Sequence, residues 1–230
     1  PYSRGLGDVY KRQILVRGMD TRTDRRAASL FLGIVPQEIT FDPFLTVRET
    51  LRFQSGYWGI LRNDDWIDEI LANLGLTDKA DASMRALSGG MKRRVLVAQA
   101  LVHKPPVIVL DEPTAELDPA SSVAVFDLLK RYSVEHGTTV IVVEQKIALL
   151  SEYADTLIIV DEGEIRFCGT PREVLEHSDE LLEIGVNCPR STSLVNRLRA
   201  CGLVCGPAVC TVEGAVCACE GLLSGKGACA

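Results

Sequence analysis

Three short apolar runs set the framework of the chain. Residues 107–110 (VIVL), 140–143 (VIVV) and 157–160 (LIIV) consist of β-branched residues and leucine. Continuous runs of this length are typical of parallel strands that are covered on both faces. A helix-like span, Pro119–His136, separates the first two runs, which predicts a mostly parallel sheet with crossover connections. Residues 33–35 predict a further buried strand.

Two helices are expected between residues 35 and 107. The segment 46–59 predicts a helix with Thr46 as its N-cap and Glu49 three residues later, a pairing that satisfies two backbone N–H groups reciprocally. Residues 67–74 place apolar side chains at the spacing of one helix face. Those side chains are Ile67, Ile70, Leu71 and Leu74.

The two ends of the chain differ from its middle. Residues 1–13 (PYSRGLGDVYKRQ) carry no periodicity and resemble a translated sequencing adaptor, so we expect them to be non-native. The folded domain is expected over residues 14–200. Residues 201–230 are rich in Gly, Ala and Cys without periodicity, which predicts a low-order tail.

Composition narrows the function classes. The net charge of −6 argues against a broad nucleic-acid surface, because such surfaces need basic side chains that neutralise phosphates. No run approaches the roughly 18 apolar residues of a membrane span. The eight cysteines show no Cys-x-x-Cys pair and are expected to be reduced thiols rather than a zinc site.

The segment 87–91 (LSGGM) precedes a helical run over residues 92–103. Gly89 and Gly90 let the backbone approach a phosphate closely, and Ser88 offers a hydroxyl and a helix cap. The helix N-terminus adds unpaired N–H groups and the positive end of its dipole. This segment therefore predicts an anion-binding site.

Two adjacent acids end the first apolar run. Asp111 and Glu112 lie where the carboxyl end of a parallel strand is expected, the edge at which open α/β sheets bind ligands. We expect Asp111 to hold Mg²⁺ and Glu112 to polarise the water that attacks a γ-phosphate. The alternative is a pair of solvated acids at a strand end.

These segments together resemble the ATP-binding subunits of ABC transporters. LSGGM, VIVLDEPT and ELDP (residues 116–119) are similar to the signature, Walker B and D-loop motifs of that family, and Gln37 matches its Q-loop glutamine. The resemblance implies an α/β fold of the P-loop NTPase type, with a mostly parallel sheet and a helical subdomain inserted at about residues 46–103.

The resemblance also implies roles for individual residues. Gln37 would contact Mg²⁺ and sense the membrane partner. Ser88, Gly89 and Gly90 would bind the γ-phosphate of an ATP molecule held by a second ATPase subunit, in a homo- or heterodimer, and Asp118 would communicate across that dimer. A transmembrane permease would be the other partner, which implies a peripheral location on the cytoplasmic face of the membrane.

The sequence departs from the family at its phosphate loop. No Gly-x-x-x-x-Gly-Lys-Ser/Thr segment occurs in it. We expect the first strands and this loop to be missing by truncation, which would leave the chain as written inactive. Arg93 and Arg94, which follow the signature, are expected on a solvated helix face rather than in a nucleic-acid site.

The two halves of the chain resemble different branches of the family. Residues 34–115 resemble ATPases of ABC-2-type exporters, and residues 117–203 resemble ATPases of energy-coupling-factor importers. An assembly chimera that joins near residues 111–115 and a natural subfamily with both features both remain open. A soluble, non-transport ABC ATPase and a non-catalytic fragment are the alternative functions.

Gln145 generates a kinetic prediction. The family places a histidine here that contacts the γ-phosphate; glutamine donates a hydrogen bond but carries no proton charge. Loss of one such donor lowers rates by about 10²-fold. In a version of the protein with a phosphate loop, Gln145→His should therefore raise kcat. Normal turnover with Gln145 in place would contradict this expectation.

Overall fold

The computed structural model describes residues 14–204 and 206–223, which fold as two units that meet in sequence between Val143 and Glu144. The helices and strands of the first unit follow in chain order. They are β1 (Leu15–Val16), β2 (Met19–Asp20), α1 (Arg25–Ser29), β3 (Leu32–Val35), α2 (Val47–Tyr57), α3 (Asp64–Asn73), α4 (Gly89–Leu101), β4 (Val107–Asp111), α5 (Pro119–His136) and β5 (Thr139–Val143).

The central sheet of this unit is parallel, in the order β3-β4-β5. Val35 pairs with Leu110 and Asp111 pairs with Val143, so the carboxyl ends of the three strands lie level. Helices α2, α3 and α4 form the connection from β3 to β4, and α5 forms the one from β4 to β5. The predicted α/β class and its parallel sheet are confirmed.

The predicted helices between β3 and β4 are also confirmed. Thr46 caps α2 through its hydroxyl, which accepts from the Glu49 amide at 3.2 Å, while the Glu49 carboxylate accepts from the Thr46 amide at 2.8 Å. The predicted apolar face of α3 is at most 1% exposed and joins the main hydrophobic core. This core also takes in the inner face of α4, β4 and α5.

The expectation that the apolar runs are covered on both faces is wrong for two of them. In β5, Ile141 and Val143 are about half exposed, and in the run 157–160 Ile158 and Val160 are exposed as well. The run 157–160 buries alternate side chains, whereas in β5 the alternate side chains of Val140 and Val142 are only partly buried. A continuous apolar run fits a strand, but it does not reveal how many layers cover that strand.

The second unit contains helices around a small hairpin. Its elements are α6 (Ile147–Tyr153), β6 (Leu157–Asp161), β7 (Glu164–Gly169), α7 (Pro171–Leu175), α8 (Ser178–Glu183), α9 (Arg190–Ala200) and α10 (Val212–Leu223). The sequence predicts β6 as a further strand of the parallel sheet. In the structure, β6 instead pairs with β7 in antiparallel fashion. Gly163, at φ +82°, closes the hairpin, because a tight turn needs the left-handed region that glycine adopts easily.

The prediction of low order beyond residue 200 does not describe residues 212–223. They form α10, which packs with α9 through a small core that contains Val195 and Ala215. Ala215, Ala218 and Leu222 follow a helical spacing, but the two alanines have small side chains and give a weak hydrophobic signal. The boundaries proposed at residues 13/14 and 200/201 stay predictions.

Within residues 14–204 and 206–223, no helix combines the length and the apolar character that a membrane span requires.

Gly33 provides a test of the packing between β3 and α4. A Cβ at this position would overlap the backbone oxygen of Ala100 and would lie 2.9 Å from Cγ of Pro105. We expect Gly33→Ala to lower the free energy of unfolding by about 1–3 kcal/mol, because the backbone of α4 must shift. Urea denaturation followed by circular dichroism measures this change.

The matched control is Gly56→Ala. This glycine lies in α2 with open space around its Cα, so alanine should leave stability unchanged or raise it by up to about 1 kcal/mol. Equal midpoints for Gly33→Ala and the wild-type chain would show that β3 and α4 do not approach as described.

Candidate functional site

Polar side chains gather at the carboxyl edge of the parallel sheet. Gln37 follows β3 by two residues, Asp111 ends β4, and Glu112 comes directly after it. Because Val35 and Leu110 are paired, these residues leave neighbouring strands at the same level. The structure therefore brings together the three polar side chains that the sequence placed at strand ends, at the edge where open α/β sheets bind ligands.

Gln37 and Glu112 contact each other across this edge. The Gln37 amide Nε2 donates to the Glu112 carboxylate Oε2 at 3.5 Å. Gln37 is exposed, whereas Asp111 and Glu112 are partly buried. A carboxylate oriented by an amide donor and open to solvent on one side can accept a hydrogen bond from a water molecule, which is the task of a general base.

The Glu112 backbone is held in an unusual conformation. Its φ of +46° is in the left-handed region, which for a residue with a side chain is unfavourable by about 1–2 kcal/mol. Its amide donates to the Val143 carbonyl at 2.8 Å, and its carbonyl accepts from the Ala115 amide at 3.0 Å. These bonds fix the direction in which the Glu112 side chain leaves the strand.

The LSGGM segment forms the start of α4, as predicted. Ser88 is the N-cap, and its hydroxyl oxygen accepts from the Met91 amide at 3.2 Å. Gly89 and Gly90 are the first two residues of the helix, and Ser88 is exposed beside them. The arrangement has the features of an anion-binding helix terminus, namely backbone N–H groups, a dipole end and a hydroxyl.

The two glycines pack against the segment that follows Glu112. A Cβ on Gly90 would lie 3.0 Å from the backbone oxygen of Glu116 and 3.1 Å from Cδ2 of Leu117. A Cβ on Gly89 would overlap the Glu116 carboxylate. The Glu116 side chain can move away from position 89, whereas a side chain at position 90 would displace the Glu116 backbone, so Gly90 is the glycine that the close approach of α4 favours.

Asp118 has a visible role within the chain. It is the N-cap of α5 and accepts from the Ser121 amide at 2.9 Å and from the Ser121 hydroxyl at 2.6 Å. The hydroxyl donor and then the amide donor hold the pKa of this carboxyl below its ordinary value. The proposed communication between subunits through Asp118 stays a prediction.

Gln145 belongs to the second unit. The backbone N–H of Gln145 donates to the Glu144 carboxylate Oε1 at 3.0 Å, and the backbone N–H of Lys146 donates to the same oxygen at 3.4 Å. The Glu144 side chain thus turns back onto its own backbone. Participation of Gln145 in the site of the first unit stays a prediction.

The assignment of Arg93 to a solvated helix face is wrong. Its side chain is 0% exposed and reaches the sheet edge from α4. Nη1 donates to the Pro36 carbonyl at 2.6 Å and the Gln37 carbonyl at 2.9 Å, Nε donates to the Glu112 carbonyl at 3.0 Å, and Nη2 donates to the Asp111 carbonyl. Arg93 is therefore a residue at the candidate site that the sequence motifs did not identify.

The burial of Arg93 could have been predicted from its helical spacing. Arg93 lies four and seven residues before Val97 and Ala100, which are both buried, so it shares their face of α4. Arg94, which is partly buried, donates through Nη1 to the Leu74 carbonyl at 2.6 Å. Both side chains thus donate to carbonyls inside the first unit.

The side-chain oxygen atoms at the sheet edge fit a Mg²⁺ site that is completed by a bound phosphate. Within the part of the chain that the structure describes, no three His, Cys, Asp or Glu side chains gather to hold a metal. Mg²⁺ keeps several waters and commonly takes one or two protein oxygens together with phosphate oxygens. The Asp111 carboxylate and the Gln37 amide oxygen fit an ion that is shared with a triphosphate, and not one held by protein ligands alone.

Comparison with known proteins agrees with this geometry. Residues 5–115 match the sequence profile described as ABC transporter. A putative ABC transporter ATP-binding protein of Pyrococcus horikoshii is 36% identical over 195 residues, which cover 83% of this chain and 69% of that protein. An energy-coupling factor transporter ATP-binding protein, EcfA2 of Caldanaerobacter subterraneus, is 32% identical over 91% of this chain and 76% of its own length, so it aligns with both halves.

The fold is also that of a solved ATP-binding cassette. A dimeric cassette in a post-hydrolysis state, bound to ADP and Pi, superposes with a TM-score of 0.62 and 26% identity. The alignment covers 70% of this chain and 73% of that one. The P-loop NTPase-like fold class predicted from the sequence is thereby confirmed.

The Asp118 cap gives a pH-dependent prediction. Because the folded-state pKa lies below the ordinary value of 3.8, ionised Asp118 stabilises the fold above that pH, and the contribution is lost as pH falls through the lowered pKa. Asp118→Asn keeps a capping oxygen without the charge. We expect the variant to be less stable than the wild-type chain at neutral pH, and the difference to shrink on acidification below 3.8.

Urea midpoints of the wild-type chain and Asp118→Asn, measured from neutral pH to below 3.8, test the expectation. The same pair of chains in a Ser121→Ala background is the control, because it removes the hydroxyl donor that contributes most to the shift. A difference that stays constant with pH would contradict the proposed cap.

Proposed function

The chain belongs to the ABC transporter family as one of its ATP-binding proteins, and we propose that it couples binding and hydrolysis of ATP to transport through a membrane permease. The observation that carries the proposal is the contact between Gln37 and Glu112, which follow neighbouring strands at the carboxyl edge of the parallel sheet.

We propose a role for each residue from its chemistry and from the family resemblance. Asp111 and Gln37 would hold Mg²⁺ with oxygen atoms, and the ion would offset phosphate charge. Glu112 accepts a proton or a hydrogen bond from the attacking water, and the Gln37 amide that contacts its carboxylate keeps it oriented. The role of Gln145 follows from the family resemblance alone: its side-chain amide would donate a hydrogen bond to the transferred phosphate without delivering a proton.

A second ATPase subunit completes the site in this proposal. The exposed Ser88 hydroxyl and the start of α4 face solvent, where they would bind the γ-phosphate of an ATP molecule that the partner subunit holds. The dimeric state of the solved cassette with ADP and Pi supports this arrangement. The partner is a second copy of this chain or a related ATPase subunit.

The permease is proposed to dock on the helical insertion. Phe53 and Tyr57 are 72% and 76% exposed and lie four residues apart on one face of α2, and Phe44 and Leu61, which flank that helix, are 83% and 89% exposed. Large apolar side chains that are exposed on this helix and beside it favour an interaction surface there. Docking there would place the chain on the cytoplasmic face of the membrane, as a peripheral subunit.

The central test traps the dimer. In a version of the chain joined to a Gly-x-x-x-x-Gly-Lys-Ser phosphate loop, Glu112→Gln should bind ATP, fail to hydrolyse it and accumulate as an ATP-dependent dimer, because the amide cannot accept a proton from water. Analytical ultracentrifugation with and without Mg²⁺-ATP measures the dimer, and phosphate release measures turnover.

Two controls make the result specific. Glu69→Gln removes an exposed carboxylate of α3 and should leave turnover unchanged. Ser88→Arg in the Glu112→Gln background should abolish the dimer by filling the phosphate site. A dimer that forms equally without ATP, or none in any variant, would refute the proposed function.

A further inference from the structure

The Arg93 guanidinium joins three segments of the first unit at one point. Its Nε donates to the Glu112 carbonyl, Nη1 donates to the Pro36 and Gln37 carbonyls, and Nη2 donates to the Asp111 and Glu112 carbonyls. These five bonds match the five N–H donors of a guanidinium. The side chain starts on α4, five residues after Ser88, so one group ties this helix to two strand ends.

We propose that Arg93 is a positioning residue that sets the Gln37–Glu112 pair and passes movements of the Ser88–Gly90 segment to it. The inference rests on the proposed function, because it assigns Arg93 a task in the ATPase reaction. The hydrogen bonds that place Arg93 here go to backbone carbonyls of the reacting residues. Arg93 acts through the conformation that this backbone gives to the Gln37 amide and the Glu112 carboxylate.

The conformation of Glu112 shows why such a residue is needed. Its left-handed backbone is unfavourable by itself, so other contacts must hold it. Arg93 donates to the Glu112 carbonyl from two nitrogens, on the far side of the residue from the amide that bonds to Val143. Rotation of the Glu112 backbone toward an ordinary conformation would break these bonds together.

The same group sets the position of Gln37. Arg93 Nη1 donates to the carbonyl of Gln37 and to that of Pro36 before it, so the backbone from which the Gln37 amide extends is fixed relative to Glu112. The contact between Nε2 and Oε2 is long at 3.5 Å. A small displacement of either strand end would therefore break it.

The geometry also gives a route between the two proposed nucleotide contacts of one subunit. Helix α4 is a rigid rod of 13 residues that begins at the Ser88 cap, and Arg93 extends from its second turn. A shift of this helix when phosphate binds at Ser88 moves the guanidinium, which carries both strand ends with it. A planar guanidinium fixes the orientation of the carbonyls that it binds as well as their distance, whereas the ammonium group of a lysine does not.

Hydrogen exchange of the chain without nucleotide tests the positioning claim directly. Arg93→Met keeps much of the side-chain volume and removes all five donors. We expect faster exchange in peptides that contain residues 36–39 and 111–117, with little change over α3. Arg93→Lys should fall between the wild-type chain and Arg93→Met, because three ammonium donors cannot serve four carbonyls at once.

Arg94→Met is the matched control. Arg94 is the next residue on the same helix and donates to the Leu74 carbonyl, away from the sheet edge. Its loss should speed exchange near residues 72–76 and leave the strand ends unchanged. Should Arg93→Met fail to fold, Arg93→Lys carries the same comparison with Arg94→Lys.

Kinetics of the version with a phosphate loop separate positioning from stability. We expect Arg93→Met to lower kcat by about 10- to 100-fold with a much smaller change in KM, since misplaced catalytic groups slow the chemical step more than substrate binding. Arg93→Lys should recover part of kcat. Arg94→Met should keep wild-type kcat.

The outcomes are distinct. Uniformly faster exchange in Arg93→Met, the same exchange pattern in Arg93→Met and Arg94→Met, or a normal kcat in a folded Arg93→Met would overturn the role of Arg93. If the wild-type version neither binds nor hydrolyses ATP, the proposed function fails. The exchange experiment uses no nucleotide, so it still decides whether Arg93 holds the two strand ends.

Discussion

The first unit depends on one buried cation that is satisfied by backbone carbonyls. Removing a guanidinium from water is strongly unfavourable unless every donor finds an acceptor. Arg93 meets this condition with the backbone carbonyls of residues where β3 and β4 end and the chain turns away. The same bonds that offset its desolvation therefore join the helical insertion to the carboxyl edge of the sheet, and the site is built where they meet.

Much of the local structure follows from the sequence because it depends on neighbouring residues. The Thr46–Glu49 capping box and the apolar face of α3 involve residues within one or two turns, and both occur as predicted. The parallel strands 107–111 and 139–143 follow from apolar runs on either side of a long helix. Exposure of Ile141 depends on which layers cover the strand, information that a run of apolar letters does not contain.

The sequence predicts which residues form the candidate site, but it does not predict the contacts between them. Sequence motifs located Gln37, Ser88 and Glu112, and the parallel topology explains why strand-end residues meet. The contact between Gln37 and Glu112 joins residues 75 positions apart, and its length depends on backbone turns that no motif specifies. Arg93 was misassigned because a charged residue usually faces solvent, and only its three-dimensional neighbours reveal the carbonyls that receive it.

The state of the Arg93 side chain in solution tests the central claim most directly. In the chain labelled with ¹⁵N-arginine and ¹³C-carbonyl, NMR should show an Arg93 Nε–H that exchanges slowly with water and has a coupling through the hydrogen bond to the Glu112 carbonyl carbon. Exposed Arg62 is the internal reference, and Arg93→Lys assigns the signal. An Arg93 Nε–H that exchanges as fast as that of Arg62, with no such coupling, would contradict the account.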